Sequence, residues 1–133
     1  MALRVLSIDD EPQICDFVRE IALDAGCEVV AAKRPEEFKA AFAEAGADVI
    51  LLDLTIPGTD GIELLQYLAE VGARARILIV SGYDEDIRRL AYTIGVARGL
   101  DMAGVLPKPV RAAELKRLLT QFKLEKEEPI CNY

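Results

Sequence analysis

Along the chain, short apolar runs alternate with longer stretches in which apolar residues recur every three or four positions. The runs are Arg4 to Ile8, Glu28 to Ala31, Val49 to Asp53, Arg76 to Val80 and Gly104 to Leu106. Val49-Ile50-Leu51-Leu52 has no polar interruption, the pattern of a strand buried on both faces of a parallel sheet. The intervening stretches predict amphipathic helices. One follows Pro12, carries Ile14, Phe17, Val18, Ile21, Ala22 and Ala25, and stops at Gly26. Others run from Pro35 to Gly46, from Gly61 through Leu64, Leu65, Leu68 and Ala69, and from Asp84 to Arg98. The last of these places Ile87, Leu90, Ala91 and Ile94 inward, with Gly95 weakening its second half. A final helix carries Ala112, Leu115, Leu118, Leu119 and Phe122; Lys123 to Tyr133 reads as a frayed, charged tail. Strands alternating with helices imply βαβ units, hence a doubly wound α/β fold: a parallel sheet with right-handed crossovers and helices on both faces.

That architecture carries a consequence for polar residues. Asp9 and Asp10 end the first strand, Asp53 the third, Ser81 the fourth and Lys108 follows the fifth, so all five arrive at the carboxyl edge of one sheet. Ligands of open α/β sheets bind along that edge. Each residue alone has a plainer reading: a helix-start acid pair, a turn serine, a solvated lysine, a strand-end acid that starts a loop. Asp60 reads as such a turn residue.

Composition narrows the chemistry. The 133 residues form one domain by size, 52% hydrophobic and 29% charged, with a net charge of −7 that opposes non-specific binding to nucleic acid or anionic lipid. No apolar run reaches the length of a membrane span and the N-terminus does not read as a signal peptide, so a cytoplasmic protein is expected. Cys15, Cys27 and Cys131 lack metal-site spacing and there is no histidine, which disfavours a disulfide framework or a zinc site. Cys15 falls on an apolar helical stripe.

Three clustered carboxylates repel one another and invite a hard divalent cation, Mg²⁺ or Mn²⁺. An ionised Asp53 can attack phosphorus without a general base. The Lys108 ammonium would offset charge on the transferring oxygens, Ser81 would donate its hydroxyl, and Gly82 would leave room for entry.

These elements closely resemble the CheY-like receiver domain of two-component response regulators. The resemblance rests on Asp9-Asp10-Glu11-Pro12, Asp53 followed by Ile56-Pro57-Gly58 and Gly61, Ser81-Gly82 and Lys108-Pro109, and covers residues 3 to 122. It implies a five-stranded sheet in the flavodoxin-like order 2-1-3-4-5, a receiver domain over 1–123 and a tail or linker start over 124–133. It also implies that Asp53 is the phosphoacceptor and that Asp10 binds the metal directly, Asp9 through water. The Thr55 main-chain carbonyl would be a further metal ligand, Ser81 the switch hydroxyl, Lys108 the phosphoryl-pairing cation, and the bond to Pro109 cis. The implied partners are a sensor histidine kinase or phosphotransfer protein upstream and a protein target or effector domain downstream. Slow self-dephosphorylation is expected, with Thr55 and Tyr83 flanking the site and influencing its rate.

Three departures qualify the resemblance. Val105 stands where the family usually has an aromatic switch residue, so either the output face responds differently or Tyr83 takes part. Ser81 and Lys108 are 27 positions apart, which requires an extended fourth helix or following loop. A long segment ending Gly-Val-Leu-Pro-Lys-Pro-Val is similar to receivers that precede cyclic-di-GMP phosphodiesterase domains. Third, the remaining tail is too small for an effector domain, so a single-domain regulator and a receiver cut from a longer protein both stay open.

Rival classes fit less well. A haloacid-dehalogenase-type phosphatase needs a second acid two residues after its nucleophile, where Thr55 stands, and no P-loop motif is present. The alternative that survives is a receiver fold used as an interaction module without phosphorylation, which Val105 favours and the acidic set opposes.

Overall fold

A computed structural model describes residues 2–54, 61–82 and 85–127. Five strands and five helices alternate: β1 (Arg4–Ile8), α1 (Pro12–Asp24), β2 (Glu28–Ala32), α2 (Pro35–Ala45), β3 (Val49–Asp53), α3 (Gly61–Glu70), β4 (Arg76–Ser81), α4 (Glu85–Ala97), β5 (Asp101–Pro107) and α5 (Ala112–Glu127). All strand pairs are parallel, in the order β2-β1-β3-β4-β5. This is the flavodoxin-like order expected of the fold.

The pleat of the sheet sorts side chains into two cores. Leu6, Ile8, Ile50 and Leu52 pack beneath α2, α3 and α4 with Phe38, Leu64, Leu65 and Leu68. Val5, Val49, Leu51 and Val80 face the other way, toward Val18, Ile21 and Ala22 of α1 and Leu115, Leu119 and Phe122 of α5. Val49 to Leu52 are each at most 3% exposed. Burying such side chains contributes roughly 2 kcal/mol apiece, enough to hold the strand's acidic end in place against electrostatic repulsion.

The second half of the chain differs from its sequence pattern. On α4 only Ala91 and Gly95 are fully buried, whereas Leu90 is 53% exposed and Ile87 lies at the surface. Small residues face the sheet because the helix sits close to it. A Cβ at Gly95 would overlap the Met102 side chain, so this glycine sets a close approach of helix to strand as well as weakening the helix. β5 begins at Asp101 rather than Gly104. Met102 pairs with Ile77 and Gly104 with Leu78, leaving Ala103 as an extra residue in a bulge. The connection from α4 spans only residues 98–100, so the length between Ser81 and Lys108 lies in the helix and the bulged strand. Finally, α5 stays helical to Glu127, where Lys126 near its end contacts Asp48 at 2.8 Å and the Ala2 carbonyl at 3.1 Å.

Candidate functional site

The described residues bury four polar or charged side chains below 5% exposure, Ser7, Asp9, Asp53 and Ser81, and all lie toward the carboxyl ends of β1, β3 and β4. Backbone geometry fixes the acids. The Asp9 N–H donates to the Ala32 carbonyl at 3.1 Å, extending the β1–β2 ladder by one residue. Asp9 Oδ1 accepts the Glu11 N–H at 3.0 Å, a turn that leads the chain into α1 at Pro12. The Cys15 thiol donates to the Asp9 carbonyl at 3.3 Å. Asp53 is the last residue of β3, in register with Val80. Behind it, a Cβ at Gly61 would stand 2.9 Å from Leu54 Cα and 3.3 Å from the Asp53 carbonyl, so only glycine lets α3 start this close to the strand end.

Lys108 closes the site from the far side of the sheet. Its N–H donates to the Ser81 carbonyl at 3.0 Å, and its Nζ reaches Asp9 Oδ2 at 2.9 Å, Asp53 Oδ2 at 3.4 Å and Glu11 Oε1 at 3.4 Å. The Lys108–Pro109 peptide is cis. Asp10, half-buried, completes a set in which carboxylate oxygens of Asp9, Asp10 and Asp53 lie within 4.8 Å of one another.

The charges are unequal. Burial pushes the Asp9 carboxyl above the ordinary carboxylate range; hydrogen bonds from Lys108 and the Glu11 N–H oppose this, and the Asp53 charge adds to it. For Lys108, burial alone would ease proton loss. Its hydrogen bond to Asp9 and the charges of Asp53, Asp9 and Glu11 outweigh burial and raise it above the usual lysine value. Three close carboxylates against one ammonium leave an excess of negative charge at a water-poor rim. An all-oxygen donor set of this kind suits a small hard divalent cation that keeps part of its water shell.

The geometry thus gathers Asp9, Asp10, Asp53 and Lys108 into one cluster. Ser81 lies fully buried at the end of β4. Gly82 is exposed, and a Cβ there would only reach Lys108 Cβ at 4.0 Å, so space at this position is not tight. Val105 lies partly buried on β5, lining with Tyr92 a groove against α4. Thr55 and Tyr83, together with Asp60 and Cys131, lie outside the described residues. Two contributors carry no role in the sequence reading: Glu11, which shares Lys108, and Gly61, which backs Asp53. Both belong to the motifs on which the resemblance rests, but the motifs assign neither a contact: Glu11 follows the two acids and Gly61 stands near a helix start.

Comparison with known proteins agrees with this geometry. The response regulator receiver domain family matches residues 5–120. The transcriptional regulatory protein TrcR of Mycobacterium tuberculosis is 31% identical over 113 residues, covering 85% of this chain and 42% of that protein. The chemotaxis protein CheY of Bacillus subtilis is 33% identical over 82 residues, 61% of this chain and 68% of that one. A response regulator structure from Colwellia psychrerythraea superposes with a TM-score of 0.80 at 30% identity, covering 94% of this chain and 99% of its own. The chain spans about half the length of several curated relatives, at 42%, 47% and 55%. Response regulators work with histidine kinases, and their receiver domains often sit beside effector domains. Among the described residues no helix is long and apolar enough to cross a membrane. With its parallel 2-1-3-4-5 sheet and its acids gathered at one rim, this chain belongs to the response regulator receiver domains, phosphoacceptor modules of two-component signalling whose standard chemistry is phosphorylation on an aspartate.

Proposed function

We propose that Asp53 takes the phosphoryl group, from a sensor histidine kinase, a phosphotransfer protein or a small phosphodonor, in a reaction that requires Mg²⁺ or Mn²⁺. The observation that carries this reading is the placement of Lys108 Nζ between Asp9 and Asp53, at 2.9 and 3.4 Å, inside a cluster of three carboxylates. Asp9, Asp10 and Asp53, with the Thr55 carbonyl, would hold the metal ion, which when bound supplies positive charge opposite the phosphoryl oxygens. An ionised Asp53 oxygen forms the new bond to phosphorus. The bond from phosphorus to the donor breaks, and its electron pair leaves with the donor. Lys108 is already ionised and can pair a phosphoryl oxygen without further proton transfer, while the Ser81 hydroxyl donates to another.

The phosphorylated unit is the receiver domain, 1–123, with α5 continuing beyond it, and its setting is the cytoplasm, where such phosphodonors occur. Phosphorylation biases an equilibrium in the face formed by α4, β5 and α5, through which a downstream protein or effector domain is engaged. Val105 in place of an aromatic means that this face responds without an aromatic rotation at that position.

Intact mass after incubation with acetyl phosphate and Mg²⁺ tests the reading. One phosphoryl adduct is expected on the wild type, absent from Asp53→Asn and abolished by chelator. An adduct that persists in Asp53→Asn, or none on the wild type with candidate kinases present, would overturn it.

A further inference from the structure

Three carboxylates converge on one ammonium at the acidic rim. Lys108 Nζ lies 2.9 Å from Asp9 Oδ2, 3.4 Å from Asp53 Oδ2 and 3.4 Å from Glu11 Oε1, and a lysine ammonium has three protons to donate. The three partners differ in what else they face. Asp9 Oδ1 already accepts the Glu11 N–H at 3.0 Å, so Oδ2 is the oxygen it can turn toward a cation, and Lys108 holds that oxygen. Asp53 also belongs with Asp9 and Asp10 to the carboxylates close enough to share a metal ion. Glu11 is not among them. Its side chain is more than half exposed, whereas those of Asp9 and Asp53 are almost wholly buried.

A divalent cation and the Lys108 ammonium therefore compete for the same buried carboxylates. Like charges at such short range repel, so a cation held by Asp9 and Asp53 drives the ammonium away from them. A largely buried ammonium left without a partner is costly. Glu11 is the third acceptor, already within reach and outside the metal set. Given Asp9, Asp10 and Asp53 as the holders of the cation, the reading proposed above, we infer that Glu11 is a second seat for Lys108. When the cation takes Asp9 and Asp53, the ammonium passes to the Glu11 carboxylate, and this exchange strengthens cation binding.

Glu11 is then a positioning residue, acting through Lys108 rather than by touching the metal. Its two halves divide the work. The backbone N–H fixes Asp9 Oδ1, and the side-chain carboxylate receives Lys108. Replacing the carboxylate by an amide leaves the first contact in place and removes the second. After the exchange Lys108 remains charged and paired at the more exposed side of the rim, where its other protons can meet phosphoryl oxygens.

Binding of Mn²⁺ to the full chain, followed by the electron paramagnetic resonance signal of the free ion with no phosphodonor present, tests this. Glu11→Gln should bind Mn²⁺ about fivefold more weakly than the wild type, the upper range for a partly exposed ion pair. Lys108→Met removes the competing ammonium and should bind more tightly than the wild type. In that background Glu11→Gln should change affinity by less than about twofold, because the residue through which Glu11 acts is gone. If Glu11 served only as a bare charge near the cation, its loss would weaken binding equally in both backgrounds. Equal losses therefore overturn the inference, as does unchanged affinity in the single Glu11→Gln variant. Should Lys108→Met fail to fold, a crystal structure of the wild type with Mn²⁺ decides: Lys108 Nζ is expected on Glu11 and withdrawn from Asp9 Oδ2, and Nζ still on Asp9 Oδ2 overturns the exchange. If the wild type binds no Mn²⁺, or Asp10→Asn does not weaken binding, the proposed metal site fails first and the exchange fails with it. Binding that needs Asp10 but is indifferent to Glu11 overturns the exchange alone.

Discussion

The two ends of the sheet both collect charge, and they treat it in opposite ways. At the amino edge, Asp48 accepts from the Arg4 N–H at 2.8 Å and pairs with Lys126 at 2.8 Å, while Arg76 pairs with Glu125 at 2.7 Å and Asp101 at 3.7 Å and stacks on Phe122. Those side chains are roughly one-third to three-fifths exposed and carry both signs in near balance. At the carboxyl edge, Asp9 and Asp53 are almost fully buried and share one lysine with Glu11. The same sheet supports both because its strands are held by apolar packing rather than by the charges at their ends. Balanced, solvated pairs act as fasteners, and an unbalanced, desolvated set with excess negative charge is a site that gains from an incoming cation.

Substitutions can break this contrast from either side. The largest effect is expected at Lys108. Lys108→Ala should slow the proposed phosphoryl transfer to Asp53 by on the order of a hundredfold, read as adduct formation against time, because the cation proposed to pair the phosphoryl oxygens is lost. A rate within twofold of wild type would show that Lys108 serves only to neutralise the cluster. Next is Asp48→Ala, which strips an acceptor from both Arg4 and Lys126. Urea unfolding should report a loss of about 2 kcal/mol, with adduct formation unchanged.

Asp9→Asn should act in the reverse sense. Because the folded state holds the Asp9 proton more tightly than the unfolded chain does, this carboxyl costs stability as pH rises through its raised value, and the cost persists at neutral pH. Without divalent cation the variant should gain about 1 kcal/mol, and its stability should vary less than that of the wild type from mildly acidic to neutral pH. A variant less stable than wild type at pH 7 in chelator would refute the idea that the rim is electrostatically unsatisfied. Lys108, with its value raised, keeps its stabilising charge until pH climbs past the ordinary lysine range, so it contributes no pH dependence near neutrality. The smallest effect is expected for Arg76→Lys, which keeps the charge but loses the guanidinium that lies 5.0 Å over the centre of the Phe122 ring. A shift of about 0.5 kcal/mol in thermal unfolding should register it.

The sequence exposes most of this scaffold because period and punctuation agree in its first half. Pro12, Gly26, Pro35 and Gly46 bracket helices that appear between those residues, and β1, β3 and β4 fall on their apolar runs. The pattern fails where tertiary contacts overrule it. Ile87 and Leu90 look like core but face outward, since the close seat of α4 is set by Ala91 and Gly95, whose smallness hydrophobicity does not reveal. Asp101-Met102-Ala103 has no strand signature because a bulge breaks its alternation. The charged end of α5 reads as a tail, yet it is helical and fastened by an ion pair between residues 78 apart in sequence, Asp48 and Lys126, which no local pattern encodes. Within the site, strand-end position sufficed to find Asp9, Asp53 and Lys108. The sequence presents Glu11 and Gly61 as motif residues but not their contacts with Lys108 and behind Asp53, because those are distances across elements.

The fastening of α5 also sets the mechanics of anything joined to this chain. The helix has 16 residues, about 24 Å at 1.5 Å per residue, and its far end is tied to Asp48 and to the Ala2 carbonyl, so the beginning and the end of the described residues meet at the edge of the sheet opposite the acids. A domain joined directly to the end of α5 would start at that edge rather than at the acidic rim. Any displacement of the end of α5 would have to break or carry along the Lys126 contacts with Asp48 and the Ala2 carbonyl.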